Sequence, residues 1–201
     1  NGAENFTWPD GGQTPFAGGK GTAPEGGFRV PMILRWPGKV PAGKVENGII
    51  SGLDWFPTFV AAAGDPNIAA DLKKGKKLGN STFKVHLDGY NQMNLITGKG
   101  PSARHEIFYF TEGTLSAVRI DDFKYRFTDQ PQGWLGGTIK VDWPILTNLR
   151  SDPYERTGMP SGAQGSLAYY NWFLYEFWRF QFVQKEVAKV AQTAIEFPPM
   201  Q

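Results

Sequence analysis

The segment from Lys20 to Pro31 constrains this 201-residue chain more than any other. It reads Lys-Gly-Thr-Ala-Pro-Glu-Gly-Gly-Phe-Arg-Val-Pro, so a Gly-Gly pair lies among the charged residues Lys20, Glu25 and Arg29. Two adjacent glycines allow the backbone to turn sharply or to approach another group closely. The apolar run that follows predicts a buried strand over residues 29–36. A glycine-rich turn with charges beside a strand end is where α/β enzymes place residues that contact anionic ligands.

Composition excludes several classes of protein. The chain is 40% hydrophobic and 20% charged, which is typical of a soluble globular protein. Its formal net charge of +2 is too small to indicate nucleic-acid binding, so we expect no nucleic-acid partner. We also expect no membrane span, because no apolar run is long enough. Cysteine is absent, which excludes a disulfide framework, a thiolate nucleophile and a cysteine-based zinc site.

The order of elements predicts a mixed α and β architecture. Asp54 and Gly64 are suitable caps for a helix over residues 54–63. From residue 105 onward the pattern changes to aromatic and β-branched strands, with Asp121-Asp122 as a two-residue hairpin turn. These strands are predicted over residues 106–110, 115–120, 123–128 and 143–149. A long helix rich in aromatic residues follows over residues 166–197, and we expect most of its apolar side chains to pack in a core.

Several segments, in this order, resemble the sulfatase family of the alkaline-phosphatase-like superfamily. The most specific is the segment from Lys20 to Pro31, which is similar to the family signature Lys-x4-Glu-Gly-Gly-x-Arg-Val-Pro. The weaker ones are Asn1-Gly2 (the end of Asp-Asn-Gly), Ser51 to Thr58 (Ser-x-x-Asp-x-x-Pro-Thr), Leu87-Asp88-Gly89, Ala117 to Tyr125 (Val-Arg-x-x-x-x-Lys-Tyr) and Leu149 to Glu155 (Leu-x-x-Asp-Pro-x-Glu). Together they cover most of residues 1–155.

The resemblance implies roles for two residues. Asn1 corresponds to the family asparagine whose side-chain oxygen binds a divalent cation, usually calcium, and calcium accepts amide oxygens as ligands. Lys20 corresponds to the lysine that contacts the sulfate oxygens and the developing charge of the leaving group. The substrate is then a sulfate ester. Glu25 and Arg29 are expected to brace the loop and the strand as an ion pair.

The family nucleophile has no counterpart in these residues. It is a formylglycine, an aldehyde hydrate made from the first residue of a Cys/Ser-x-Pro-x-Arg motif. The segment from Ser151 to Arg156 has one residue too many before its arginine. His86 and His105 fall in segments that the family does not use for catalysis, and they lack metal-ligand spacing. We therefore expect the 201-residue chain alone to be inactive.

The predicted fold class is α/β for the whole enzyme and α+β for this chain. It would contain the C-terminal part of an alkaline-phosphatase-like mixed sheet, plus a small antiparallel sheet packed on a long C-terminal helix. The predicted domains are residues 1–104, part of the catalytic domain, and residues 105–201, a C-terminal subdomain. Because the chain starts without Met or an apolar leader, we expect it to begin inside a longer protein.

Two expectations concern the surroundings of the chain. The missing N-terminal part of the same protein, or self-association, should cover its apolar faces. The resemblance favours a periplasmic or secreted location.

Two alternatives to a sulfatase stay open: a phosphonate or phosphate monoester hydrolase of the same superfamily, or a non-catalytic interaction module that docks through the aromatic helix.

Overall fold

The computed structural model describes residues 2–3, 14–156 and 167–198. It is an α+β structure with two compact units, one made of residues 1–32 and 106–183 and the other of residues 33–105 and 184–201. The chain passes between the units close to the predicted domain boundary after residue 104. The division into a catalytic domain and a C-terminal subdomain stays a prediction.

The first unit is built on a four-stranded antiparallel sheet in the order β3-β4-β5-β6. Its strands are β3 (Glu106–Thr111), β4 (Thr114–Ile120), β5 (Phe123–Asp129) and β6 (Ile139–Asn148). Ile120 pairs with Phe123, so Asp121 and Asp122 form the predicted two-residue turn. Asp121 has a φ of 48°, a left-handed conformation that aspartate tolerates better than most residues. All four predicted strands are therefore confirmed.

The aromatic segment packs on this sheet. It consists of α5 (Leu167–Glu176), a 3₁₀ turn (Phe177–Arg179) and α6 (Phe180–Glu196). The Phe180 ring meets the buried Tyr125 ring of β5 edge to face at 5.2 Å. The Phe173 ring is buried and lies 6.4 Å from Trp143 of β6. One side of the segment therefore packs on the sheet, whereas Leu174 is 69% and Tyr175 is 81% exposed. The expectation that most of its apolar side chains pack in a core is met on that one side alone.

The second unit contains the predicted helix around residue 54. A 3₁₀ turn (Gly52–Asp54) leads into α2 (Trp55–Ala62). α3 (Ile68–Lys74), the hairpin of β1 (Lys76–Leu78) with β2 (Ser81–Phe83), and α4 (Met93–Ile96) follow. Ser51 and Asp54 form a reciprocal capping box at the start of the 3₁₀ turn. The N-cap of this segment is thus Ser51, with Asp54 as its partner.

Residues 29–36 form no strand, so that prediction was wrong. They follow α1 (Glu25–Phe28), a single helical turn, and run without regular structure. A strand needs a neighbour to pair its backbone groups, and neither sheet of the described residues includes this segment. The side chain of Ile33 is 96% exposed.

Exposed apolar side chains are also found on α2, where Phe56 and Phe59 are more than half exposed. Contiguous apolar patches on soluble proteins usually mark an interaction surface. That the missing N-terminal part or a second copy covers these side chains stays a prediction.

Candidate functional site

Lys20 lies at the tip of a tight turn. The Thr22 hydroxyl donates a hydrogen bond to the Gly19 carbonyl at 2.7 Å, and the Thr22 amide donates to the same carbonyl at 3.1 Å. The Lys20 amide donates to the carbonyl of Ala3 at 2.9 Å. The Lys20 side chain is half-buried. The backbone of this residue is therefore held on both sides.

The Gly26-Gly27 pair is required by close backbone contacts. A Cβ on Gly26 would lie 2.3 Å from the carbonyl oxygen of Gly18, and a Cβ on Gly27 would lie 2.1 Å from that of Thr22. Both distances are far below van der Waals contact. The Gly27 carbonyl also accepts a hydrogen bond from the Gly2 amide at 2.7 Å. The two glycines thus allow α1 to pack directly beneath the turn that carries Lys20.

Glu25 connects this turn to the sheet. Its carboxylate is 2% exposed and accepts hydrogen bonds from the Tyr109 hydroxyl of β3 at 2.7 Å and from Lys124 Nζ of β5 at 3.0 Å. Arg119 of β4 lies 3.4 Å from the other carboxylate oxygen. Arg29 lies 4.0 Å from it, which agrees with the expected ion pair. Glu25 is therefore an anchor of the turn.

Glu155 completes this buried cluster. Its carboxylate accepts a hydrogen bond from the Glu25 amide and lies 3.4 Å from Lys124 Nζ. Lys124 is 1% exposed, so one buried ammonium compensates two buried carboxylates. The segments Ala117 to Tyr125 and Leu149 to Glu155 therefore supply partners for the charge within the glycine motif.

The electrostatics of the cluster keep Glu25 ionised. Burial by itself raises the pKa of Glu25, but Lys124, the Tyr109 hydroxyl and Arg119 outweigh it, so the pKa lies below its ordinary value. Burial lowers the pKa of Lys124, against the attraction of Glu155 and Glu25. Burial and the neighbouring Glu25 carboxylate raise the pKa of Tyr109 well above its usual range. Because these groups are buried and bonded to each other, they position the turn and are not available to a substrate.

Trp134 is a neighbour of Lys20 that the sequence does not reveal. It lies in the loop between β5 and β6, and Lys20 Nζ is 4.8 Å from the centre of a Trp134 ring. A Cβ on Gly21 would lie 2.3 Å from Trp134 Cδ1, so the indole packs directly on the Gly21 backbone. The sequence around Trp134 indicates only a loop, because it is rich in Pro and Gly. The contact with Lys20 depends on the conformation of the loop between β5 and β6.

A second buried cluster in the other unit accounts for two more of the segments. Asp54 is fully buried and accepts hydrogen bonds from Arg104 Nη2 at 2.6 Å, and from the Tyr90 and Ser51 amides at 2.8 and 2.9 Å. Burial raises the pKa of Asp54, but the hydrogen bond from Arg104 and those from the two amides outweigh it and hold the pKa below its ordinary value. Arg104 also donates to the Asp88 carbonyl at 2.7 Å. The Ser-x-x-Asp and Asp-Gly segments are thus structural.

Of the two predicted site residues, Lys20 is among the described residues and Asn1 is not. Gly2 and Ala3, which follow Asn1, both bond to the segment that carries Lys20. His86 belongs to the second unit, where its Nδ1 lies 3.2 Å from a carboxylate oxygen of Asp88. Within residues 2–3, 14–156 and 167–198, no three His, Cys, Asp or Glu side chains are grouped closely enough to hold a metal ion.

Comparison with known proteins agrees with the motifs. The family model described as Sulfatase matches residues 3–65. N-acetylgalactosamine-6-sulfatase of Canis lupus familiaris is 33% identical over 178 residues, covering 78% of this chain and 31% of that protein. Arylsulfatase A of Homo sapiens is 30% identical over 164 residues, covering 74% of this chain and 29% of that protein.

A solved structure shares the fold over the whole chain. The crystal structure of the sulfatase PsFucS1 from Pseudoalteromonas sp. aligns with a TM-score of 0.77 and 26% identity. The alignment covers 100% of this chain and 37% of that protein. The chain therefore spans roughly a third of the length of the proteins it matches.

Proposed function

Because this chain belongs to the sulfatase family, we propose that it forms part of a sulfuric ester hydrolase in which Lys20 binds the sulfate group. The observation that supports this role is the difference in burial between Glu25 and Lys20, two charged residues of the same motif. Glu25 is buried within a cluster of charged partners, whereas Lys20 is half-buried on a turn whose backbone is braced by hydrogen bonds. A half-buried cation held in this way is suited to an anionic group.

The proposed role in the reaction follows from where charge develops. When a nucleophile attacks the sulfur atom, the bond between sulfur and the ester oxygen breaks, and negative charge grows on the leaving oxygen. The three N–H donors of Lys20 can form charge-assisted hydrogen bonds to this oxygen and to the sulfate oxygens. Donors that are positioned in advance stabilise the transition state without reorganising during the reaction. In this proposal the nucleophile comes from outside these 201 residues, and the inactivity of the chain alone stays a prediction.

The test is Lys20→Ala in the full-length protein. We expect kcat/KM for an aryl sulfate to fall by a factor of about 10² to 10³, because one electrostatic contact in the transition state is lost. The melting temperature should change little, since the turn is held by backbone and Thr22 bonds. Lys39→Ala, at an exposed lysine, is the matched control and should leave activity unchanged.

Two outcomes would contradict this assignment. Unfolding caused by Lys20→Ala would make the lysine structural, and unchanged kcat/KM would remove its role. Faster hydrolysis of a phosphate monoester or phosphonate ester than of the sulfate ester with the same leaving group would favour the related hydrolases. Absence of turnover on all of these esters would favour a non-catalytic interaction module.

We also propose calcium as the cofactor, with Asn1 as one ligand, on the strength of the family resemblance alone. Calcium takes about six to eight oxygen ligands, and the described residues contain no cluster of three metal-binding side chains. In this proposal the carboxylate ligands lie outside the described residues. Asn1→Ala in the full-length protein should raise the calcium concentration needed for half-maximal activity. Activity that survives chelation of calcium unchanged would refute this proposal.

A location in the periplasm or outside the cell is proposed on the same basis. Among the described residues, no helix is both long and apolar enough to cross a membrane. Detection of the full-length protein solely in a cytoplasmic fraction would contradict the proposed location.

A further inference from the structure

We propose that Trp134 is a positioning residue that holds the Lys20 ammonium in place for sulfate binding. This inference rests on the proposed role of Lys20. Its starting point is the contact between two segments that are distant in the sequence, the turn around Lys20 and the loop that joins β5 to β6.

The first step concerns how firmly Trp134 is held. Its indole lies against the backbone of Gly21, where even a Cβ would collide with the ring at 2.3 Å. The loop around it is closed by hydrogen bonds from the Gly133 amide to Gln130 at 2.9 Å and from the Gly136 amide to Gly133 at 3.0 Å. Gly133 has a φ of 74°, a conformation that suits glycine. The ring therefore has a defined position relative to the turn that carries Lys20.

The second step concerns what the ring does to the lysine. An ammonium 4.8 Å from an aromatic ring centre is within the range of a cation–π interaction. A free lysine side chain samples many rotamers, and fixing them when a ligand binds costs conformational entropy. An aromatic face restricts these rotamers but leaves the positive charge intact for an anion.

The position of Gly21 supports the same inference. Gly21 follows Lys20 directly and has a φ of 82°. The residue next to the proposed sulfate ligand thus has no side chain at the point where the indole packs. A larger residue there would displace the ring away from the lysine.

The experiment is a double-mutant cycle between Trp134→Leu and Lys20→Ala in the full-length protein, with an aryl sulfate as substrate. Trp134→Leu keeps an apolar side chain but removes the π-face, so kcat/KM should fall by about three- to thirtyfold. Trp134→Phe should retain most of the activity, because it keeps an aromatic face. In the Lys20→Ala background, Trp134→Leu should cause almost no further loss, since the group on which Trp134 acts is gone.

Leu135→Ala is the matched control, because Leu135 is the next residue of the same loop and is 80% exposed. It should leave kcat/KM unchanged, and the melting temperatures of all variants should agree closely. Equal losses from Trp134→Leu with and without Lys20 would overturn the inference and leave the role of Lys20 standing. If Lys20→Ala itself has no effect, the proposed function fails and this inference fails with it.

Discussion

Asp54→Ala is expected to lower the free energy of unfolding by about 3–5 kcal/mol, the cost of breaking a buried ion pair by removing one partner. Arg104 is 4% exposed and bonds to both oxygens of the Asp54 carboxylate, so the substitution leaves a buried guanidinium without its counter-charge. The Tyr90 and Ser51 amides and the Gln92 side chain lose their acceptor at the same time. Urea unfolding of the full-length protein measures the loss.

Asp65→Ala is the matched control, because Asp65 also pairs with a cation but is only partly buried, and its partner Lys76 keeps Asp71 as a second carboxylate. Exposed ion pairs are screened by solvent and contribute little to stability. We therefore expect a far smaller change in the urea midpoint for Asp65→Ala. Similar losses of unfolding free energy for the two variants would show that the buried ion pair contributes no more to stability than the partly buried one.

Glu25→Gln is expected to destabilise the protein at neutral pH and to reduce its sensitivity to acid. The substitution removes one of the two carboxylates that face the buried Lys124, and Glu155 remains as the other, so a loss of about 1–3 kcal/mol is expected. The pKa of Glu25 lies below its ordinary value of 4.5 in the folded state. The unfolded chain therefore takes up a proton on Glu25 first as the pH falls, and stability rises with pH in this range.

The contribution of Glu25 is thus complete above pH 4.5 and is lost as the pH falls from there through the lower pKa of the folded state. Unfolding free energies of the full-length protein, measured across this range, should decrease less steeply for Glu25→Gln than for the native protein. Glu46→Gln is the control, since Glu46 is exposed and its ion pair with Lys44 is screened. An unchanged acid profile for Glu25→Gln would show that the carboxylate is not held in its charged form.

Local signals in the sequence predict local structure well. The strands on either side of Asp121-Asp122 are found where β-branched and aromatic residues predict them, and the turn is found where the two aspartates lie. The Gly26-Gly27 pair indicates a close backbone approach, and the carbonyls of Gly18 and Thr22 make it. In each case the cause lies within a few residues of its effect.

The features that the sequence does not predict depend on interactions between distant segments. An apolar run such as residues 29–36 specifies a strand only when another strand lies beside it, and the pattern of the run contains no information on that neighbour. The partners of Glu25 are likewise invisible in its own motif, because Tyr109 and Glu155 are 84 and 130 positions away. The resemblance places Lys124 and Glu155 in separate segments, and the structure shows that they serve the same carboxylate.

The separation between Glu25 and its partners also determines when the Lys20 turn can be organised during folding. Contacts that close long stretches of chain form only after a large loss of loop entropy, and proteins rich in such contacts fold slowly. Arg119, Lys124 and Glu155 are synthesised long after Glu25, so the Glu25 carboxylate has no cationic partner from the sheet, and its amide no Glu155 acceptor, until the strands of the sheet have formed. The turn around Lys20 is thus anchored only once the sheet exists, which makes its final geometry one of the last features of the fold to form.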